Sequence, residues 1–180
     1  MTHADLVELG RKWLLRSSYS SHDMKRHSRM GCSVVLTEVT SHAFETPDVL
    51  GWSNVSILIE CKASRADFLA DQRKEFRKDP TKGMGDLRYY LAPDGLLKEE
   101  EIPQSWGFLE AYKKLPPRRG YEIRMRKESA IHECAYSAET AVLLSLLRGL
   151  DIHSGDHTTI KAYMFPAKTK RATLSMKAAI

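Results

Sequence analysis

Apolar residues recur at helical spacing over residues 4–15, where Leu6, Leu9, Trp13 and Leu14 share one side, so this stretch is expected to form a helix. Residues 17–31, SSYSSHDMKRHSRMG, break the pattern with serines and basic side chains and predict an exposed loop. Three β-type segments follow. CSVVLTEV is β-branched and apolar, PDVLGW is short and starts on proline, and VSILIECK is apolar almost throughout, as a central strand buried on both faces would be. Ser64 with Asp67 three residues on predicts a capped helix over ADFLADQRKEFRK, lined on one side by Phe68, Leu69 and Phe76 and ended by Asp79-Pro80. LRYYLA reads as a fourth strand closed by the Pro93-Asp94-Gly95 turn, and KEEEIPQ as a surface excursion. WGFLEAY and YEIRMRK read as two more strands joined through Pro116-Pro117, and SAETAVLLSLLRGL as an amphipathic helix ending at Gly149.

This order, helix, three strands, helix, strand, two strands and helix, predicts an α/β or α+β domain with a central mixed sheet flanked by helices. The expected domain is residues 1–150, with the basic loop 16–31 inserted. Residues 151–180 have weak periodicity and predict a basic, partly ordered tail.

Composition narrows the function. The chain has 180 residues, enough for one real core, and no apolar stretch long enough to span a membrane. The first fifteen residues carry acids and no apolar run before a cleavage site, so no secretory signal is expected. Cys32, Cys61 and Cys134 are widely spaced, which predicts no disulfide framework or zinc site and fits a reducing cytosol. His22 and His27 lack the further ligands that zinc needs at suitable spacing. The net charge of +5 is uneven, with Lys25, Arg26 and Arg29 in the first basic cluster and Arg118 and Arg119 in the second. Clustered positive charge favours a polyanion, most often nucleic acid, against the alternative of a solvated basic face.

The segment IECKASRADF ends the third strand in charges. Residues two apart share a face, so Glu60 and Lys62 point one way while Cys61 joins Ile57 and Ile59 on the other, as an ordinary buried thiol. Asp48 opens the preceding strand, and a hairpin through residues 51–54 brings it beside Glu60. Two adjacent carboxylates repel, and a hard divalent cation such as Mg2+ between them relieves the repulsion and leaves room for a phosphate. Lys62 would then orient a nucleophile or stabilise charge building on phosphate. Glu38 in the first strand is a candidate third carboxylate, with Glu8 on the first helix as its rival.

Pro47-Asp48, then Glu60-Cys61-Lys62 in an apolar strand followed by a helix, resembles the PD-(D/E)xK nuclease superfamily. The stretch from IECKASRADFLAD through LRYYLAPDGL to WGFLEAY resembles more particularly its MmcB-like branch of DNA-repair nucleases and related phage or mobile-element proteins. The resemblance implies a restriction-endonuclease-like core and dependence on Mg2+ or Mn2+. It implies Asp48 and Glu60 as metal ligands, the Cys61 backbone carbonyl as a further ligand, Lys62 as the catalytic cation, and Glu38 or Glu8 as an extra acid. A polar residue from the following helix is also implied, Gln72 ahead of Lys74. The expected activity is hydrolysis of phosphodiester bonds in DNA, in repair, recombination or phage–host conflict, with RNA also open as substrate. A homodimer would suit a nuclease that cuts both strands. Two other readings stand beside it: a nuclease-like fold that binds nucleic acid without cutting it, and a basic surface that meets an acidic protein.

Overall fold

The computed structural model describes residues 1–16, 31–39, 45–116, 119–149, 159–164 and 172–177. Most of the predicted loop 16–31, with Lys25, Arg26 and Arg29, and also Arg118, lie outside the described residues.

Helix α1 spans His3–Leu15 and is capped by Thr2, whose hydroxyl accepts from the Asp5 N–H while Asp5 accepts from the Thr2 N–H. It is followed by β1 (Val34–Thr37), β2 (Val49–Trp52) and β3 (Ser56–Cys61), which run antiparallel to one another in sequence order. Helices α2 (Arg65–Asp71) and α3 (Glu75–Lys78) lead to β4 (Leu87–Pro93) and β5 (Gly107–Lys113), both parallel to their predecessors in the sheet. Strand β6 (Tyr121–Lys127) returns antiparallel to β5, and α4 (Tyr136–Gly149) follows. The result is a six-stranded mixed sheet in the order β1-β2-β3-β4-β5-β6, flanked by helices. A second, two-stranded sheet pairs β7 (Thr159–Met164) with β8 (Ala172–Lys177), two strands that the weak periodicity of the last thirty residues did not single out.

The pleat sorts the core into two halves. On one face α1 sets Leu6, Val7, Trp13 and Leu14 against Val49, Ile57, Ile59, Cys61, Tyr89 and Leu91. On the other, Phe68 from α2, Val142 from α4 and Trp106 cover Leu50, Leu58, Tyr90 and Phe108. Every residue of β3 is buried, as its continuous apolar run requires of a central strand. Tyr89 and Tyr90 divide between the faces, and Trp106 stacks on Tyr90 at 4.5 Å as a packing residue.

The long helix expected over residues 66–78 is two short ones. Ser64 caps α2 through the Asp67 N–H, and Phe68 is buried, but Leu69 is 48% exposed. The last turn tightens, with Arg73 and Lys74 N–H groups donating three residues back to Ala70 and Asp71, and the chain breaks before α3. The break has a structural consequence. Residues six apart do not share a face of a continuous helix, yet Arg77 folds back onto Asp71 with Nε 2.8 Å from Oδ2.

Gly107 lies directly across from Tyr89, and a Cβ there would collide with the Tyr89 ring. Gly107→Ala is expected to destabilise the fold by about 1–3 kcal/mol through overpacking. A denaturant midpoint unchanged from the parent protein would contradict this close approach.

Candidate functional site

Extending the β2–β3 register by one residue beyond Val49 and Ile59 sets Asp48 opposite Glu60. The hairpin therefore forms as the sequence predicted, and both carboxylates stand at one end of the sheet. The Cys61 N–H donates to Asp48 Oδ2 at 2.7 Å, which fixes that carboxylate against the end of β3. Its other oxygen lies 3.5 Å from His3 Nε2, and the same imidazole nitrogen lies 3.5 Å from Glu38 Oε1. Burial, reinforced by the Glu60 charge, pushes the Asp48 carboxyl up from an ordinary 3.8 to about 6.

Glu38 takes a φ of 50°, a left-handed conformation uncommon for a residue with a Cβ. Its N–H donates to the Asp48 carbonyl, so the strained residue sits where β1 ends beside Asp48. Glu8 is placed differently. Arg11 and Lys12 on its own helix bind it at 2.7 and 3.0 Å and hold its carboxyl down at about 2. Of the two rival acids, Glu38 is the one beside Asp48.

Lys62 follows β3 and is anchored by its N–H donating to the Leu91 carbonyl. Its side chain is 3% exposed, with the ammonium 3.0 Å from Glu60 Oε2 and 3.2 Å from Asp71 Oδ1. Burial works against its charge, but Glu60 and Asp71 outweigh burial and raise its pKa above the usual lysine value.

Asp71, Arg77 and Glu45 complete a buried network that sequence reasoning missed. Asp71 is 1% exposed and accepts from Lys74, Arg77 and the Tyr90 hydroxyl, each at 2.8 Å. Although burial opposes ionisation, the Arg77 guanidinium and then Lys62 hold the Asp71 carboxyl well below the usual carboxylate range. Arg77 also reaches Glu45 at 2.5 Å and Glu60 Oε1 at 3.1 Å, and lies 4.7 Å over the Trp106 ring. Glu45 in turn accepts from the Met84 N–H, and burial raises its pKa. Gln72, the expected helix residue, ends α2, and among the described residues its side chain makes no hydrogen bond to Glu60 or Lys62; Asp71, one position earlier, meets Lys62 instead. A signal for Asp71 existed, because it lies three residues after buried Phe68 on the core-facing side of α2. Glu45 and Arg77 carry no comparable local signal.

No protein-family model and no curated protein matches this chain. Among solved structures it is similar to the SPO1766 protein of unknown function from Silicibacter pomeroyi, at 20% identity and a TM-score of 0.46, over 64% of this chain and 73% of that one.

Two features of the site fit a hard cation. The Asp48 carboxyl resists ionisation partly because of Glu60, a repulsion that a cation between them would relieve. Glu60 Oε1 is buried without a hydrogen bond, because Arg77 lies within ion-pair distance but is not aligned to donate. Among the described residues no group of three or more His, Cys, Asp or Glu side chains is arranged to hold a metal. Cys61 behaves as expected: it is fully buried in the α1-facing core, and burial raises its thiol pKa well above the ordinary value. Of the predicted phosphate contacts, Arg119 is described and exposed. No helix among the described residues is long and apolar enough to cross a membrane.

Proposed function

We propose that this chain is a Mg2+- or Mn2+-dependent nuclease that hydrolyses phosphodiester bonds in DNA, built on a restriction-endonuclease-like core. The observation that carries the reading is the buried Lys62 ammonium, clamped between Glu60 and Asp71 at the strand end where Asp48 also stands. Buried ionic clusters are weak contributors to stability, so one at a strand end beside a carboxylate of raised pKa is a candidate for chemistry. Asp48 and Glu60, with the Cys61 carbonyl and Glu38, would hold the ion. Bound there, it would polarise a phosphate and lower the pKa of a coordinated water. Lys62 holds a fixed positive charge beside that place, and Asp71 keeps the ammonium in position.

The test is cleavage of single-stranded, duplex and branched DNA, and of RNA, with Mg2+ or Mn2+, alongside calorimetric metal titration. Asp48→Asn is expected to abolish both metal uptake and cleavage. In the parent protein uptake should strengthen as pH rises through about 6, because the ligand carboxylate must lose its proton first. Intact cleavage by Asp48→Asn, or uptake that is flat across this window, would sink the assignment.

One observation favours a second reading, a module that binds nucleic acid without cutting it. Both Glu60 oxygens already lie within 3.1 Å of a cation, Lys62 on one side and Arg77 on the other. A site neutralised from within needs no metal. Salt-dependent DNA binding, with neither metal uptake nor cleavage under any divalent ion, would select this reading.

A further inference from the structure

The β5–β6 hairpin carries Lys113, Lys114, Arg118, Arg119, Arg124, Arg126 and Lys127 against only Glu110 and Glu122, a local excess of +5 equal to that of the whole chain. Three of its six described cations are held by carboxylates or carbonyls. Lys114 lies 3.7 Å from Glu122, Arg126 lies 3.9 Å from Glu110, and Lys127 donates to the Ile102 and Pro103 carbonyls. Arg124 differs. It is exposed, and its guanidinium lies over the Tyr112 ring at 4.7 Å. The ring is held in place, because the Tyr112 hydroxyl donates to Glu122 at 3.1 Å.

The sheet relates this pair to the candidate site. Arg124 is directly across from Glu110, and Glu110 from Ala92. The β3–β4 register, carried one residue past Cys61 and Leu91, sets Lys62 across from Ala92. Lys62, Ala92, Glu110 and Arg124 thus form one cross-strand row on the face opposite α1. Three strand spacings separate its ends, about 14 Å, or about four nucleotides at a stacked rise of ~3.4 Å.

We infer that Arg124, laid on Tyr112, is a stacking platform for an unpaired base of a single-stranded nucleic acid whose backbone follows the basic hairpin toward Lys62. Bases stack on aromatic rings and on guanidinium planes, and they do so irrespective of sequence. The Arg124 guanidinium carbon lies over the ring, and the residue as a whole is exposed to solvent. The charge excess of the hairpin supplies the attraction for phosphates. An acidic peptide would use the charge but has no need of a flat, ring-backed guanidinium. The inference rests on the nucleic-acid reading above but not on catalysis.

The experiment is fluorescence anisotropy of labelled DNA and RNA oligonucleotides, single-stranded and duplex, at fixed salt with EDTA present. Arg124→Ala is expected to weaken single-strand binding roughly tenfold. Arg124→Lys should weaken it nearly as much, since an ammonium keeps the charge but offers no plane. Arg119→Ala, a second exposed cation of the hairpin, should lower affinity less and act alike on single strands and duplexes. Tighter binding of either DNA or RNA supports the platform and identifies the preferred sugar. Parental affinity in Arg124→Lys would reduce the site to charge alone and overturn the inference, as would parental affinity in Arg124→Ala. An acidic peptide that binds this face and resists displacement by oligonucleotides would overturn it in favour of a protein partner. Because EDTA suppresses cleavage, failure of the nuclease reading alone leaves these binding results unchanged.

Discussion

Arg77→Ala is expected to lower folding stability by about 3–5 kcal/mol, the cost of leaving buried charge without its partner. Arg77 is 4% exposed and faces three carboxylates at once, Glu45, Glu60 and Asp71, each itself no more than 3% exposed. Removing it takes away the guanidinium that pairs with all three; Lys62 stays on Glu60 and Asp71 and Lys74 on Asp71, while Glu45 keeps the Met84 N–H and the electrostatic influence of Arg88. The measurement is the urea midpoint at constant m-value. Arg77→Lys should recover only part of the loss, because one ammonium cannot reproduce the fork that spans Asp71 and Glu45. The penalty in Arg77→Ala should shrink as pH falls. Burial already raises the Glu45 carboxyl, and without the guanidinium it takes up a proton more readily than it does in the unfolded chain. Protonation therefore stabilises the folded variant at low pH, and this gain is lost as pH rises through the folded pKa. A loss below about 1 kcal/mol would show that the network contributes little beyond packing.

Much of this architecture was legible because period and punctuation agree. The helical spacing of Leu6, Trp13 and Leu14, the apolar run of β3 and the turn at Asp94-Gly95 each specify a local structure that tertiary packing then keeps. The juxtaposition of Asp48 with Glu60 was legible for the same reason, since a short hairpin fixes register and register fixes which side chains face each other. What was hidden depends on where the chain goes after α2. A continuous helix would carry Arg77 away from Asp71; the break at residues 72–74 brings it back, and no proline or glycine marks that break. Glu45 lies between β1 and β2 on a stretch with no periodicity, so only the folded structure shows it buried against Arg77. The choice of Gln72 over Lys74 followed from resemblance, and Asp71 went unconsidered despite its position on the core side of α2.

The same geometry separates a structural role for Lys62 from a chemical one. Lys62→Ala is expected to reduce DNA cleavage by about 10²–10³-fold, the usual effect of removing one preorganised positive group from a reacting centre. The loss should fall on kcat. At 3% exposure the ammonium has almost no free surface to offer bound DNA, and on the proposed reading the basic hairpin would supply the phosphate attraction, so KM and oligonucleotide affinity should change little. Lys62→Ala also leaves Glu60 and Asp71 with one cation fewer, so a stability loss accompanies it, and rates must be compared well below the variant's unfolding midpoint. Asp71→Asn provides the contrast. The amide can still accept from the Tyr90 hydroxyl, but Asp71's share in raising the Lys62 pKa is gone, while the larger influence of Glu60 remains beside it. If Lys62 acts chemically, Asp71→Asn should lower the rate through a changed pH profile, with the loss growing as pH rises and the less strongly held lysine proton is lost. If Lys62 only packs the strand end, both variants should lose stability in proportion and retain the parent's rate per folded molecule. Full activity in folded Lys62→Ala would place the chemistry elsewhere and leave Glu60, Lys62 and Asp71 as the ionic seam that joins β3 to α2.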